Sequence, residues 1–173
     1  KLVRPELSGI GPIHIATEFD FAQHGTTTRV DRLAVSVEGA KPVVTVNALQ
    51  PFEFNLKRGD AGMPVVTELN IADPAKELVG VVFQGLPLAW VSPWLASPGL
   101  ALNGDELRGE IAASARDGGF SVRPKTPLTL GNVSVALKDG RTLFRGVDLT
   151  LAASADYTPQ GWQVAIAPLS VAS

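Results

Sequence analysis

The candidate chemical groups of this chain begin with its two histidines, His14 and His24. His14 is followed at even spacing by Glu18 and Asp20, and residues at even spacing share one face of an extended strand. Imidazole and carboxylate groups are zinc ligands, so this face has the composition of a metal site. A solvated polar strand face has the same pattern, and we favour that simpler interpretation.

A second acidic group contains Asp105, Glu106 and Glu110, the residue types that hydrolyse glycosidic bonds when two carboxyl groups are correctly spaced. Glu106 and Glu110 lie four residues apart beside Arg108, which is typical of an exposed, charge-balanced strand face. The chain contains no cysteine, which removes thiolate nucleophiles and thiolate metal ligands. No pattern pairs another nucleophile with a base. We therefore expect no enzyme, no catalytic residue, no metal site and no cofactor.

One short helix is predicted over residues 87–95, where Leu88, Val91 and Leu95 recur at helical spacing. Pro87 suits its start, and Pro93 limits its length. Trp90 and Trp94 lie four residues apart and would project from one side of it. Two indoles could close one end of an apolar sheet, bind the face of a sugar, or rest at a membrane interface. We favour the first role, a groove plug or end cap.

The rest of the chain alternates apolar and polar residues with a period of two, from near residue 13 to near residue 171. This period predicts strands, and parallel pairing would need long crossovers that the chain lacks. The predicted fold is all-β: about ten short strands in a curved, mostly antiparallel sheet that forms a groove or half-barrel. An apolar sheet face must be covered by a second sheet, a helix or a ligand, so a β-sandwich is the alternative.

Turn residues divide these strands. Pro42 and Pro51 mark strand starts or edges, because proline cannot donate to a sheet ladder. Asp139-Gly140 predicts a tight hairpin. Asp73-Pro74 predicts a helical turn over residues 75–78, and the stretch 124–127, with a proline at each end, predicts an interruption between strands.

Composition limits the function classes. Charged residues make up 18% of the 173, the net charge is -2 and the isoelectric point is near 5.7. Without clustered Lys and Arg, we expect no nucleic-acid partner. No apolar run approaches the ~18 residues of a membrane-spanning helix. Residues 1–173 are interpreted as a single β-rich domain and as a fragment of a longer repetitive chain.

The stretch 102–111, read as LNGDELRGEI, and the stretch 85–90 before it, read as GLPLAW, resemble the repeat of the AsmA-like family, the TamB, YhdP and YdbH group of Gram-negative envelope proteins. In that repeat a strand leads into a G-L-P-L turn and a short helix, and then into a G-x-L-x-G-x-I strand. Here the second motif carries one extra residue. The turn at 117–120 and the Gly161-Trp162 pair also agree. The resemblance covers residues 78–171 best, and 10–70 by strand pattern alone.

This resemblance implies a long, twisted β-groove with an apolar concave face, in the periplasm and tethered to the inner membrane through a segment outside this chain. Such a groove shields phospholipid acyl chains on their way between the inner and outer membranes. The implied partners are phospholipid acyl chains, other segments of the same chain and envelope proteins. The alternative function is a closed β-sandwich module of the envelope that binds a sugar or a protein, or has a structural role.

We predict that one set of apolar side chains faces the lipid. These residues are Ile13, Ile15, Phe19, Phe21, Leu33, Val35, Val37, Leu107, Ile111, Val133, Val135, Leu149, Leu151, Val164 and Ile166.

Overall fold

The structure is a computed structural model that describes residues 12–58, 64–90, 100–116, 119–137, 139–158, 161–167 and 170–172. Its thirteen strands belong to one sheet. They are β1 (His14–His24), β2 (Thr27–Glu38), β3 (Pro42–Ala48), β4 (Phe52–Arg58), β5 (Pro64–Ile71), β6 (Glu77–Pro87), β7 (Leu100–Asn103), β8 (Glu106–Arg116), β9 (Gly119–Leu137), β10 (Thr142–Leu151), β11 (Ala153–Thr158), β12 (Gly161–Ile166) and β13 (Ser170–Ala172).

The main path across the sheet runs through eight strands, in the order β1, β2, β3, β6, β8, β9, β11 and β12. Shorter strands extend it: β4 and β5 beside β2, β7 beside β9, and β10 with β13 on the other side of β9. Every pairing of described strands is antiparallel, and the sheet is open. The predicted curved antiparallel sheet is therefore confirmed. The described strands do not form the two stacked sheets of a β-sandwich.

Local sequence explains the ends of several strands. Gly25 turns the chain between β1 and β2 with a φ of 63°, and Gly140 turns it between β9 and β10 with a φ of 90°. Both values lie where glycine is favoured because it has no Cβ. β3 begins at Pro42, and β4 begins directly after Pro51. The predictions of a turn at Asp139-Gly140 and of strand starts at Pro42 and Pro51 are confirmed.

Two local predictions differ from the structure. The turn after Asp73 is not helical over residues 75–78, because β6 already begins at Glu77. Asp73 instead forms a short turn, in which its side chain accepts a hydrogen bond from the Ala75 N–H at 3.0 Å. The stretch 124–127 does not interrupt a strand, because β9 continues through it. Register shifts against β8 lie at this stretch, so the ladder accommodates prolines that cannot donate.

Strand irregularities keep apolar residues on one side of the sheet. Phe83 and Leu86 are three residues apart, so in a regular strand they would point to opposite faces. A register shift at Gly85, whose φ is 139°, inserts one extra residue and returns Leu86 to the face of Phe83. A similar shift in β9 surrounds Asn132, whose φ is 52°. At these two positions the bulges keep apolar residues on one face of the sheet, whereas regular alternation would turn them to the other face.

The predicted helix begins at Leu88, directly after β6, and the described residues 88–90 are helical. Residues 91–95 of the prediction, including Trp94, lie outside the described residues. Over the described stretches, no helix has both the length and the apolar character needed to cross a membrane.

Among the described residues few side chains are fully buried, because the described sheet has no second layer to pack against. The buried apolar residues in this part of the chain are Val43, Leu78, Leu88, Ala112 and Val133. Much of the apolar surface of the sheet therefore stays accessible.

Candidate functional site: an open apolar face

Cross-strand pairing shows which residues share a face, because directly opposite residues in antiparallel strands point to the same side. One row runs across six strands through Thr17, Val35, Val46, Val81, Ile111 and Pro124. A second row runs through Ala48, Val79, Ala113, Val122, Ala155 and Val164. A third runs through Leu86, Leu107, Leu130 and Leu149. We call the surface that these rows define the apolar face.

The predicted lipid-facing residues divide into three groups by exposure. Those at the two sides of the sheet are between 45% and 67% exposed: Ile13, Ile15, Phe19, Phe21, Val164 and Ile166. Those in its interior are half-buried: Leu33, Val35, Val37, Leu107, Ile111, Val135, Leu149 and Leu151. Val133 alone is almost fully buried, at 1% exposure.

Several predicted residues meet directly across strands. Ile15 lies opposite Val37, and Phe19 lies opposite Leu33. Residues from the two sides of the sheet do not meet, because six strands separate β1 from β12 on the main path. The set is therefore a surface rather than a pocket.

Val133 differs from the rest because it is buried beside Gly104, which also lies against Leu88 at the start of the helix. A Cβ on Gly104 would lie 2.8 Å from Leu88 Cδ2 and 3.4 Å from Val133 Cα, so Leu88 and Val133 both lie against this glycine. The Leu88 N–H donates to the carbonyl of Asp105 at 2.9 Å, which fixes the entry of the chain into the helix. Val133 therefore adds almost nothing to the accessible apolar surface.

Trp90 lies beside the turn between β2 and β3. Its ring atoms would be 3.6 Å and 3.7 Å from a Cβ on Gly39. The start of the helix thus lies beside the β2–β3 turn through Trp90, and beside the β7–β8 connection through Leu88. Trp90 therefore lies at the end of β2 and the start of β3.

Sequence reasoning left out apolar-face residues in the interior strands, such as Val46 in β3 and Val81 and Phe83 in β6. Val43–Val46 and Val79–Phe83 include adjacent apolar residues, so alternation does not show which of them share the main face. Only the pairing of Val46 with Val81 resolves it. If the period-two alternation of β2 had been continued into β3, it would have identified Val44 and Val46 as residues of the apolar face.

The opposite face, which we call the polar face, carries charged side chains that form ion pairs. Arg32 contacts Glu18 at 2.7 Å, and Lys125 contacts Glu77 at 2.9 Å. The hydrogen bond to Glu77 is the main cause that raises the pKa of Lys125 above its ordinary value. All charged residues of β1, β6, β8 and β11 lie on this polar face by their pairing.

On the polar face, Arg123 forms an ion pair with both carboxylate oxygens of Asp156. Arg123 Nη2 donates to both carboxylate oxygens of Asp156 at 2.8 Å. This hydrogen bonding, helped by a hydrogen bond from Ser121, holds the pKa of Asp156 below its ordinary value of 3.8. The pair links β9 to β11 where their ladder is only three residue pairs long.

Several of the candidate catalytic and metal-binding groups lie on the polar face and contact other charged groups. His14 Nδ1 is 3.8 Å from Glu38, and Glu18 is engaged by Arg32. Glu106 forms ion pairs with Arg108 and with Lys41. Across the described ranges, no cluster of three or more His, Cys, Asp or Glu side chains is arranged to hold a metal ion.

Comparisons with known proteins found no matching family model, no matching curated protein and no matching solved structure.

Proposed function

We propose that this chain is a β-groove segment of a Gram-negative envelope protein, and that its apolar face shields phospholipid acyl chains during transport between the inner and outer membranes. The supporting observation is the continuous apolar face, which crosses the sheet from β1 to β12 and which no second layer of described strands covers. The proposed function needs no catalytic residue and no cofactor.

The dimensions of the face support this proposal. Adjacent strands are about 4.8 Å apart, so eight strands span about 34 Å. The hydrocarbon core of a bilayer is about 30 Å thick, so one acyl chain reaches about 15 Å. The apolar face is therefore long enough to hold a whole acyl chain laid across the strands.

The chemistry of the face also supports it. Each acyl CH2 group withdrawn from water contributes about 0.8 kcal/mol, so an apolar surface without specific contacts binds a lipid chain. Because the charged residues of β1, β6, β8 and β11 lie on the opposite side of the sheet, an acyl chain laid across these strands would meet none of these charges. A zwitterionic or anionic headgroup could remain in water beside the strand ends.

The proposal places the chain in the periplasm, tethered to the inner membrane through a segment outside it, with other segments of the same protein and envelope proteins as partners. It extends the resemblance of residues 78–171 to the AsmA-like repeat. In this proposal Trp90 and Trp94 cap one end of the groove.

Photocrosslinking tests the function. The purified chain is mixed with phosphatidylglycerol that carries a diazirine on one acyl chain, irradiated, and mapped by peptide mass spectrometry. We expect crosslinks on apolar-face residues such as Ile111 and Leu149. Absence of crosslinks, or equal labelling of both faces, would contradict the proposal.

A matched pair of variants on β10 sharpens this test. Leu149 and Thr150 are adjacent and both half-buried, but they point to opposite faces. A carboxylate on the apolar face would have to lose water when lipid binds, so Leu149→Glu should lower crosslinking by about tenfold or more. Thr150→Glu adds the same charge and should leave crosslinking near the wild-type level. Circular dichroism checks that both variants fold, and Ile111→Glu repeats the test on β8.

A further inference from the structure

The hairpin between β9 and β10 carries two large apolar side chains that are open to solvent. Leu143 is 57% exposed and Phe144 is 39% exposed. No other pair of exposed large apolar residues in the described chain is adjacent in sequence. On β10, the residues before and after Leu143 pair with consecutive residues of β9, so Leu143 is the extra residue of a β-bulge. Bulges redirect side chains, and this one leaves both apolar groups accessible.

The same hairpin has a positive net charge, although the net charge of the whole chain is -2. Residues 138–145 contain one lysine, two arginines and one aspartate, which gives a net charge of +2. Asp139 accepts a hydrogen bond from Arg141 Nε at 2.8 Å, so one of the positive charges is balanced within the turn. Arg145 is exposed, and its side chain forms no ion pair with a described residue. Its guanidinium is therefore accessible to an anionic partner.

The hairpin also adjoins the apolar face. Phe144 lies opposite Val135 of β9, and Val135 lies opposite Leu102 of β7. Directly opposite residues point to the same side of a sheet. By the pairing of β9 with β10, Val135 lies on the same side as Leu130, which belongs to the apolar face. Phe144 therefore extends the apolar face to the hairpin.

We propose that the hairpin 138–145 docks on an anionic phospholipid surface, with Leu143 and Phe144 inserted at the boundary between headgroups and acyl chains and Arg145 on a lipid phosphate. Segments that lie at a membrane interface bind through buried apolar area and through attraction of basic residues to anionic lipids. This hairpin has both components. Arginine suits the role because its guanidinium forms paired hydrogen bonds with phosphate.

A membrane surface fits the hairpin better than an acidic protein surface. An acidic protein surface would attract Arg145 but would leave Leu143 and Phe144 beside charged groups that lose water on contact. A single myristoyl chain gives only reversible membrane binding, and these two side chains bury less apolar area than such a chain. The docking should therefore be reversible.

The consequence for transport rests on the proposed function. Because Phe144 lies on the side of the apolar face, docking would bring this part of the face to the membrane. An acyl chain would then pass between bilayer and sheet with little exposure to water. The hairpin would thus mark the place at which lipid enters or leaves the apolar face.

Site-specific labelling tests which surface docks, because the chain has no cysteine of its own. Leu143→Cys and Leu49→Cys are each labelled with a dye whose emission depends on polarity. Leu49 is the control because it is 50% exposed but lies after β3, outside the hairpin. Vesicles of equal parts phosphatidylglycerol and phosphatidylcholine should shift the emission at position 143 to shorter wavelength and leave the emission at position 49 unchanged. No shift at position 143, or equal shifts at both, would overturn the proposal.

A charge reversal tests the role of the arginine. Arg145→Glu should weaken binding to the same vesicles by about tenfold or more in a sedimentation assay. Lys57→Glu is the matched control, because Lys57 is exposed in β4 and forms no ion pair with a described residue. This control should bind as the unaltered chain does, and circular dichroism checks that both variants fold. Equal losses in the two variants would overturn the proposal.

The choice of vesicle and ligand separates the remaining outcomes. Equal binding of the unaltered chain to pure phosphatidylcholine vesicles would overturn the role of anionic lipid. Binding to polyglutamate without binding to vesicles would overturn the proposal and assign the hairpin to an acidic protein partner. Crosslinks of acyl chains at Ile111 without vesicle binding would overturn the docking alone. Vesicle binding without such crosslinks would support the docking and contradict the proposed function.

Discussion

The rings of Phe19 and Phe21 stack with their centroids 5.6 Å apart on edge strand β1, although these residues are 60% and 55% exposed. Stacking hides part of each ring from the solvent but leaves the outer surfaces accessible. An exposed aromatic pair beside an apolar sheet face is a favourable contact for an apolar ligand.

The double variant Phe19→Ser/Phe21→Ser should therefore lose binding of an apolar fluorescent probe while the fold stays intact. We expect the free energy of unfolding to fall by about 0.5–1.5 kcal/mol for the lost ring pair, and further by the buried part of each ring. Probe fluorescence and urea unfolding measure the two effects. Phe19→Leu/Phe21→Leu retains apolar area and should retain most probe binding. Unchanged fluorescence in the serine variant would show that the probe binds elsewhere.

The sequence predicted the apolar face best where strands alternate cleanly, as in β1 and β8. It could not assign the continuous apolar runs of β3 and β6, because both faces of these strands carry apolar side chains. It also could not show that β3 pairs with β6 across the intervening β4 and β5, since that pairing depends on long-range contacts. Regular alternation alone would have placed Leu86 on the wrong face. The bulge at Gly85, visible only in the register, corrects it.

The sequence also could not predict the burial of Val133. Its place in an alternating strand is the same as that of Val135, but the chain entering the helix brings Leu88 against Gly104 and covers this end of the sheet. Such packing depends on the position of a segment that is distant in the sequence. Period-two patterns therefore predict which face a residue joins and do not predict how much of that face remains open.

Gly104→Ala should destabilise the packing of Leu88 against Gly104 at the start of the helix. The new Cβ would meet Leu88 Cδ2 at 2.8 Å and the Gly131 carbonyl oxygen at 3.3 Å, so neighbouring atoms must move. Overpacking of this kind costs about 1–3 kcal/mol of unfolding free energy. Gly39→Ala is the control, because its Cβ would be 3.6 Å from Trp90, an ordinary contact. Chemical denaturation of both variants measures the difference, and equal stabilities would contradict this packing.

Gln50 should stabilise the connection between β5 and β6. Its amide nitrogen donates to the Asp73 carbonyl at 3.0 Å and to the Lys76 carbonyl at 3.2 Å, and its amide oxygen accepts from the Asp73 N–H at 3.1 Å. Gln50→Ala leaves these backbone groups without that partner, at an expected cost of about 1–3 kcal/mol. Gln23→Ala removes one exposed hydrogen bond to Gly25 and should change stability by less than about 0.5 kcal/mol. Urea midpoints of the two variants provide the comparison.

Acid should weaken the link between β9 and β11 through Asp156. Its pKa is lowered in the folded state, chiefly by hydrogen bonding to Arg123, so its contribution to stability is present above the ordinary value of 3.8. That contribution is lost as the pH falls through the lower folded value, because the unfolded chain then binds the proton more readily. Asp156→Asn cannot titrate, so its melting temperature should fall less steeply than that of the wild type as the pH drops below about 4. Thermal melts from pH 7 down to the acid limit of solubility measure the two slopes. Parallel slopes would mean that Asp156 has the same proton affinity in the folded and unfolded chain.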